Sequence, residues 1–349
     1  MIRDSVVGGS GLDKKNLILS IETSCDETAA AVIADGHDIL ANIIFSQIPV
    51  HQKFGGVVPE IASRHHLEHL PQVVAEALQM AEVSFSDLDA IAVTYGPGLV
   101  GALLVGVAGA KAMAAAQGLP LIGVNHIEGH IYANFLVHPQ LQFPLLCLLV
   151  SGGHTHLVLL QDHGKYKILG RTRDDAAGEA FDKVARAMGL GYPGGPQIQA
   201  TAATGNPLGI ELPRAWLEPG SLDFSFSGMK SAVLNYLNRA GQKGEVVDKA
   251  DLAASFQQAV IEILVGKTLT AAKATGVRTV LLAGGVAANQ ALRQSMTDAC
   301  NAAGYNFYYP PIELCTDNAA MIGCAAYYKY LRGEFSSQDL NAIPGMALA

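Results

Sequence analysis

Residues 17–44 read LILSIETSCDETAAAVIADGHDILANII, and residues 145–169 read LLCLLVSGGHTHLVLLQDHGKYKIL. Both follow one plan: an apolar strand, a turn of small polar residues, a second strand, a glycine turn and a third strand. In the first copy the polar turn spans Glu22 to Glu27, and Asp35-Gly36 makes the second turn. The echo continues downstream. LDAIAVTYGPGLVGALL predicts a strand, a glycine turn and a helix start, and VRTVLLAGGVAANQALR repeats this about 189 positions later. LPLIGVNHIEGH and YNFYYPPIELCTDNAAM then each predict a strand followed by a polar helix start.

The expected fold is therefore α/β, with two ribonuclease-H-like halves facing a cleft. Such an architecture resembles the actin, sugar-kinase and heat-shock ATPase superfamily. The expected divisions are a loose extension over 1–16, a first subdomain over 17–143 and a second over 144–317 that carries the nucleotide-binding turns. A last helix, about Asn318 to Arg332, packs back on the first subdomain, and a tail follows within 318–349.

A chain of 349 residues is long enough for two such units. Its net charge of −8 argues against a strong general attraction to nucleic acid, leaving room for a local basic track. Cys25, Cys147, Cys300, Cys315 and Cys324 are scattered without a C-x-x-C pair, the pattern of reduced thiols in a cytosolic protein. The opening residues contain no apolar stretch of signal-peptide length. The longest apolar run, GLVGALLVGVAGAKAMAAAQG, includes Lys111 and five glycines, which suits a buried helix better than a membrane span. A soluble, cytoplasmic protein without a membrane partner is expected.

NHIEGH, Asn125 to His130, places two histidines on one helical face about 6 Å apart, close enough to share one ion. Alone, such a pair is as compatible with two structural histidines. The repeat adds a third residue. His126 displaced by 189 falls at position 315, two short of Asp317, so both lie just past the carboxyl ends of equivalent strands. Two histidines and one carboxylate with open positions suit iron(II) or zinc(II). RHHLEHL repeats the spacing at His65 and His69, in a helix expected from Pro59 to Met80 with Ile61, Leu67, Leu70 and Val74 inward. No carboxylate from a matching turn is expected to face that pair, which points to an interface helix.

Other stretches carry weaker signals. SGGHTH, Ser151 to His156, is a tight turn whose exposed N–H groups suit phosphate oxygens, or a hairpin without a ligand. LLAGGVAANQAL runs from a buried strand through Gly284 and Gly285 into a helix N-terminus, where Asn289 could meet a base or ribose. Asp174 and Asp175 are candidate helix caps. Glu179 and Asp182 follow in that helix, and YPGGP makes a rigid turn. In DFSFSGMK, Phe224 and Phe226 could stack on nucleic acid or belong to the core.

Ten stretches, SIETSCDETAAAV, GGVVPEIASRHH, YGPGLVGALLVG, NHIEGHIYA, LVSGGHTHL, DDAAGEAFDKVAR, YPGGP, FSFSGMKSAV, LLAGGVAANQALR and CTDNAAMIG, together resemble the bacterial tRNA N6-adenosine threonylcarbamoyltransferase family. That family was formerly labelled O-sialoglycoprotein endopeptidase. The resemblance covers about residues 17 to 333. It implies transfer of the threonylcarbamoyl group from threonylcarbamoyl-adenylate to N6 of adenosine 37 in tRNAs reading A-starting codons, with release of AMP. It implies one divalent metal per subunit, Fe(II) or Zn(II), held by His126, His130 and Asp317. Leu149, Val150, Ser151, Gly152 and Gly153, with Asp182, Gly195 and Asn289, then match the positions that bind the adenylate, and Glu22 matches an acidic residue of the first phosphate turn. Many relatives carry an aspartate near Gln199, so that contact is in question here. The implied partners are tRNA, a shorter inactive paralogue and a small ATPase, with a heterodimer through 59–80 or a homodimer in isolation.

Three other readings remain to be weighed. In the zinc-protease signature H-E-x-x-H the glutamate adjoins the first histidine. Glu128 comes one position later, about 100° further round a helix and off the metal-facing side. A phosphotransferase would need the usual aspartate where Glu22 stands, and an acidic base that SGGHT lacks. A scaffold that has lost its metal site is at odds with an intact histidine pair and Asp317.

Overall fold

The computed structural model describes residues 15–348; the extension expected over 1–16 lies outside them except for Lys15 and Asn16. β1 (Leu17–Glu22), β2 (Glu27–Ala34), β3 (Asp38–Ser46), β4 (Ala90–Gly96) and β5 (Leu121–Asn125) form one sheet in the order β3-β2-β1-β4-β5. β6 (Leu145–Val150), β7 (Thr155–Asp162), β8 (Lys165–Arg171), β9 (Thr279–Ala283) and β10 (Asn306–Tyr308) form the other, β10-β9-β6-β7-β8. Counted within its own half, each sheet has the order 3-2-1-4-5. The first three strands of each half pair antiparallel, and the fourth and fifth continue parallel to the first. The repeat read from the sequence is thus a repeat of topology.

Among the described residues ten α-helices accompany the strands: α1 (Ile48–His51), α2 (Pro59–Met80), α3 (Val100–Gln117), α4 (His126–Val137), α5 (Ala177–Ala187), α6 (Gly194–Ala202), α7 (Ser227–Lys243), α8 (Lys249–Thr275), α9 (Gln290–Ala303) and α10 (Ala319–Leu331). Strand alternation sorts them into layers. Leu19 and Ile21 of β1 face α2 and α3, whereas Ile18 faces inward. Leu146, Leu148 and Val150 of β6 face the helices of the second half, whereas Leu145, Cys147 and Leu149 face inward. Between the two inward faces lie α4 and α10, contributing Ile127, Ile131, Phe135, Ile322 and Cys324 to a shared core. Close approach there depends on small residues. A Cβ on Gly129 would stand 2.6 Å from the Ile322 side chain, and one on Gly323 would stand 2.5 Å from Ile33. The Ser20 hydroxyl donates to the Ala319 carbonyl at 2.7 Å and ties α10 to β1.

Several local expectations change. α2 has the predicted bounds, but it buries Ala62, His66, Leu70, Val73, Val74, Ala77 and Leu78, while Leu67 is 69% exposed. A histidine takes the inward place because both its nitrogens are satisfied: Nδ1 lies 2.7 Å from Thr28 Oγ1 and Nε2 lies 2.9 Å from the Cys25 carbonyl. α3 is the one helix among the described residues long and apolar enough to cross a membrane. Here it packs against α2 and β4, burying Ala102, Leu103, Val107 and Ala110. Phe224 and Phe226 are fully buried with parallel rings, so neither is available to stack on a base.

Asp174 and Asp175 cap no helix; Ala176 stands at the start of α5. They instead pin the segment before α7. Asp174 accepts from the Phe226 and Ser227 amides and from the Ser225 and Ser227 hydroxyls. Asp175 pairs with Lys183 at 2.8 Å and Lys230 at 2.7 Å. Burial alone would push the Asp175 carboxyl up, but bonds from Lys183 and Lys230 outweigh it and hold it below the usual range. A depressed folded value means stability that is complete above about pH 4 and lost as pH falls through the folded value. Urea midpoints measured at falling pH should therefore decline less steeply in Asp175→Asn than in wild type. An identical acid limb in both proteins would contradict this.

Candidate metal centre and active site

The centre is built where the two halves end their parallel strands. β5 ends at Asn125, whose Oδ1 accepts from the Ile127 amide at 2.9 Å and caps α4. After β10, Asn318 caps α10 in the same way, accepting from Met321 at 3.0 Å. His126 follows one asparagine cap and Asp317 precedes the other. The repeat thus delivers the two residues to one place.

His126 Nε2 lies 3.6 Å from Asp317 Oδ1, and His130 Nε2 lies 3.3 Å from the same oxygen. The imidazoles meet edge-on, centroids 4.6 Å apart. One donor atom from each of the three residues lies within 4.8 Å of the others. On the far side of its ring, His126 Nδ1 is 3.1 Å from both Glu22 Oε2 and Ser24 Oγ. Glu22 is fully buried, and its carboxylate also accepts from the Ser24 amide and, at 2.6 Å, from the Thr94 hydroxyl. The Glu22 carboxylate is thus turned inward onto the histidine. A carboxylate behind a histidine fixes the tautomer that leaves Nε2 free as a ligand.

The arrangement fits a cation. His130 is almost fully buried, yet its Nδ1 has no hydrogen-bond partner and its Nε2 meets only Asp317 at 3.3 Å, an unfavourable state unless something else occupies a lone pair. Burial disfavours charge on His126, but Asp317 and Glu22 outweigh it and hold its pKa above the usual histidine range. Burial likewise pushes Asp317 up, and the two histidines reverse that to leave it low. The site is thus biased toward a carboxylate–cation arrangement, and metal uptake would displace the His126 proton.

Glu128 lies away from this centre. Its carboxylate accepts from the Tyr166 hydroxyl at 2.6 Å and lies 3.8 Å from Lys329 Nζ. Glu128→Gln is expected to leave the turnover of the chain within about threefold of wild type, because a working general base contributes about 10²–10⁴-fold. A hundredfold loss of turnover in a folded Glu128→Gln protein would put the glutamate in the chemistry.

On the second half, Leu149 and Val150 end β6, and the Ser151 amide donates to the His154 carbonyl at 2.8 Å, closing the turn. Gly152 and Gly153 face open space. Gly284 has φ +89°, and a Cβ there would stand 2.4 Å from the Val150 carbonyl, so the second turn needs glycine. Asp182 accepts from the amide of Gly194, the first residue of α6, at 2.6 Å, and Gly195 beside it faces open space. Asn289 is used structurally: Oδ1 caps α9 and Nδ2 donates to Gln257 at 2.8 Å. Gln199 accepts from the Gln290 amide at 2.7 Å, which holds the same helix start. A cavity of ≈ 320 Å³ lies beside Asp182, lined also by Gln52, Gly55, Arg186 and Tyr192. Gln52 donates to the Tyr192 carbonyl at 3.1 Å and Arg186 to that of Gly55, so the halves touch there. Several basic side chains of this half are already paired: Arg173 with Glu218 and Asp223, and Lys183 and Lys230 with Asp175.

Comparison with known proteins places the chain in a family. The profile of the family described as "TsaD: tRNA N6-adenosine threonylcarbamoyltransferase" matches residues 38–324. The chain belongs to this family. Relatives carrying the family's name include proteins of Desulfitobacterium hafniense, 65% identical over 95% of this chain and 97% of the relative, and Moorella thermoacetica, 64% identical over the same shares. A third, from Geobacillus thermodenitrificans, is 59% identical over 98% of this chain and its own whole length. Among solved structures, full-length HypF in its phosphate- and nucleotide-bound form superposes with a TM-score of 0.61 at 15% identity, over 93% of this chain and 48% of HypF. Component A of the Acidaminococcus fermentans (R)-2-hydroxyglutaryl-CoA dehydratase gives 0.50 at 15%, over 91% and 98%. At such identities the two structures establish the fold alone. Within the threonylcarbamoyltransferase family frame, Ser24, Thr94, Tyr166 and Lys329 were not singled out from sequence. The two asparagine caps beside His126 and Asp317 were a readable signal for helix starts at the centre.

Proposed function

We propose that this chain transfers the threonylcarbamoyl group from threonylcarbamoyl-adenylate to N6 of adenosine 37 in tRNAs reading A-starting codons. The observation that carries the reading is the family match across residues 38–324 together with an intact His126–His130–Asp317 cluster. The new bond joins N6 to the carbamoyl carbon. The bond from that carbon to the phosphate oxygen breaks, AMP leaves with its electron pair, and the amine gives up a proton. The amine is a weak nucleophile because its lone pair is delocalised into the purine, so positioning and charge stabilisation must do most of the work.

In this reading Leu149 to Gly153, Asp182, Gly195 and Asn289 surround the adenylate, with the open backbone of Gly152 and Gly153 nearest its oxygens. His126, His130 and Asp317 would hold one divalent ion, iron(II) or zinc(II), which supplies a Lewis acid and an orienting charge. Glu22 keeps His126 aimed at that ion. A phosphotransferase is disfavoured, since the SGGHT turn offers no carboxylate to act as base.

We assign the shorter inactive paralogue and the small ATPase as partners in the cytoplasm, docking through α2. The exposed Leu67 and Met80 on α2, and Val100 and Leu104 on α3, support an apolar contact there, with a homodimer as the alternative in isolation. The function is tested by supplying threonylcarbamoyl-adenylate, the partner proteins and a tRNA transcript in which adenosine 37 is replaced by guanosine. Threonylcarbamoyl incorporation into the normal transcript and none into the substituted one is expected. Equal incorporation into both would overturn the assignment.

A further inference from the structure

α2 carries a second cluster of metal-ligating side chains. His65, Glu68 and His69 stand at helical positions i, i+3 and i+4, with one donor atom from each within 4.8 Å of the others. Glu68 is the carboxylate that the sequence pattern did not place: it comes from the same helix, and its Oε2 is 3.5 Å from His65 Nδ1. That distance exceeds a hydrogen bond, and His65 Nδ1 is a buried atom without a hydrogen-bond partner. The His69 ring is fixed by stacking on Phe45 of β3 at 3.6 Å between centroids. It also lies within 16° of parallel to the His65 ring. Among the described ion pairs Glu68 has no lysine or arginine partner.

We propose that His65, Glu68 and His69 form a second divalent-cation site of the zinc class, separate from the His126–His130–Asp317 centre, with a coordination position open to solvent. The helical spacing brings the three donors to one side of α2, where an ion about 2.0–2.1 Å from each nitrogen closes a chelate with small rotations of the side chains. Two imidazoles and one carboxylate suit zinc or another late first-row ion, and suit magnesium or calcium poorly. His66, between them, is not a ligand. It points the other way, and Thr28 and the Cys25 carbonyl take both its nitrogens. Stacking on Phe45 orders one ligand in advance, which lowers the entropy lost on binding. The site owes nothing to the assigned transferase reaction and stands or falls independently of it.

The test uses the metal-free full-length chain titrated with cobalt(II), followed by its visible absorption, and with zinc(II) against a chromophoric chelator. Wild type should take up two equivalents per chain. His65→Ala/His69→Ala should lose one of them, and His126→Ala/His130→Ala should lose the other while keeping the surface site. Glu68→Gln, a near-isosteric surface change, should weaken the second equivalent by about tenfold or more, at least the cost of losing an outer-sphere partner. A single equivalent in wild type that is kept in His65→Ala/His69→Ala and lost in His126→Ala/His130→Ala would overturn the proposal. So would a second equivalent that survives unchanged in folded His65→Ala/His69→Ala and Glu68→Gln proteins.

Discussion

Glu22→Gln should lower the affinity of the main centre for a divalent metal by about 10–100-fold, the usual cost of removing a partner that orients a ligand histidine. The substitution changes shape hardly at all, but it replaces an acceptor-only carboxylate by an amide. Three donors converge on that carboxylate in the wild type: the Ser24 amide, the Thr94 hydroxyl and the His126 ring. The amide keeps one acceptor oxygen and presents an NH₂ in place of the other, so the donor faces either the Ser24 amide or, at the Oε2 position, Thr94 and His126 together. Glu22 is fully buried, and no water replaces the lost acceptor. His126 is then free to take the tautomer with its proton on Nε2, the nitrogen facing Asp317. Competition with a zinc chelator measures the loss directly, and transferase activity at limiting metal should fall with it. Unchanged metal affinity in a folded Glu22→Gln protein would mean that Glu22 is not what orients the histidine.

Lys267→Met is expected to destabilise the fold by about 3 kcal/mol, among the larger effects for a residue outside the centre. Lys267 is 2% exposed, and its ammonium donates to three main-chain carbonyls: Trp216 at 2.9 Å, Ser221 at 2.9 Å and Asp223 at 2.6 Å. These belong to an irregular stretch before α7 whose other anchors include Trp216 against Gly266, Asp223 on the Arg171 amide, and Glu218 and Asp223 on Arg173. Methionine keeps the apolar stem and removes all three charge-assisted bonds. Some carbonyls can turn to water, which is why the loss falls short of three full bonds. Urea unfolding followed by circular dichroism checks the figure. A change below about 1 kcal/mol, the scale of one ordinary hydrogen bond, would show that the stretch is held by its other contacts.

What could be read from residue order was what repeats or alternates. The two strand plans, 17–44 and 145–169, announced two halves because strands buried on both faces read as continuous apolar runs broken by polar turns. The centre was within reach for the same reason: displacing His126 by the length of the repeat lands beside Asp317, and the asparagine caps bring both to one point. The inward turn of Glu22 was not readable, since a glutamate after a strand looks the same whether it meets a phosphate or a histidine. The buried side of α2 was missed by giving Leu67 precedence over His66. A polar residue can occupy an inner face whenever partners distant in sequence satisfy it, as Thr28 and Cys25 do here. Asp174 and Asp175 were expected to cap α5 because acidic residues ahead of a helix usually do. Their actual partners, Ser225 to Lys230, are more than fifty residues away for the most part, beyond the reach of local pattern.

The central claim is that His126, His130 and Asp317 form a metal centre on which threonylcarbamoyl transfer depends. It is tested by purifying wild type and His126→Ala/His130→Ala proteins, measuring bound metal by mass spectrometry, and following AMP release and tRNA modification with the partner proteins present. The account predicts bound iron or zinc and modified tRNA for wild type, and loss of both in a variant whose circular dichroism is unchanged. Equal metal content and equal turnover in the two proteins would make NHIEGH a structural element and remove the metal from the mechanism.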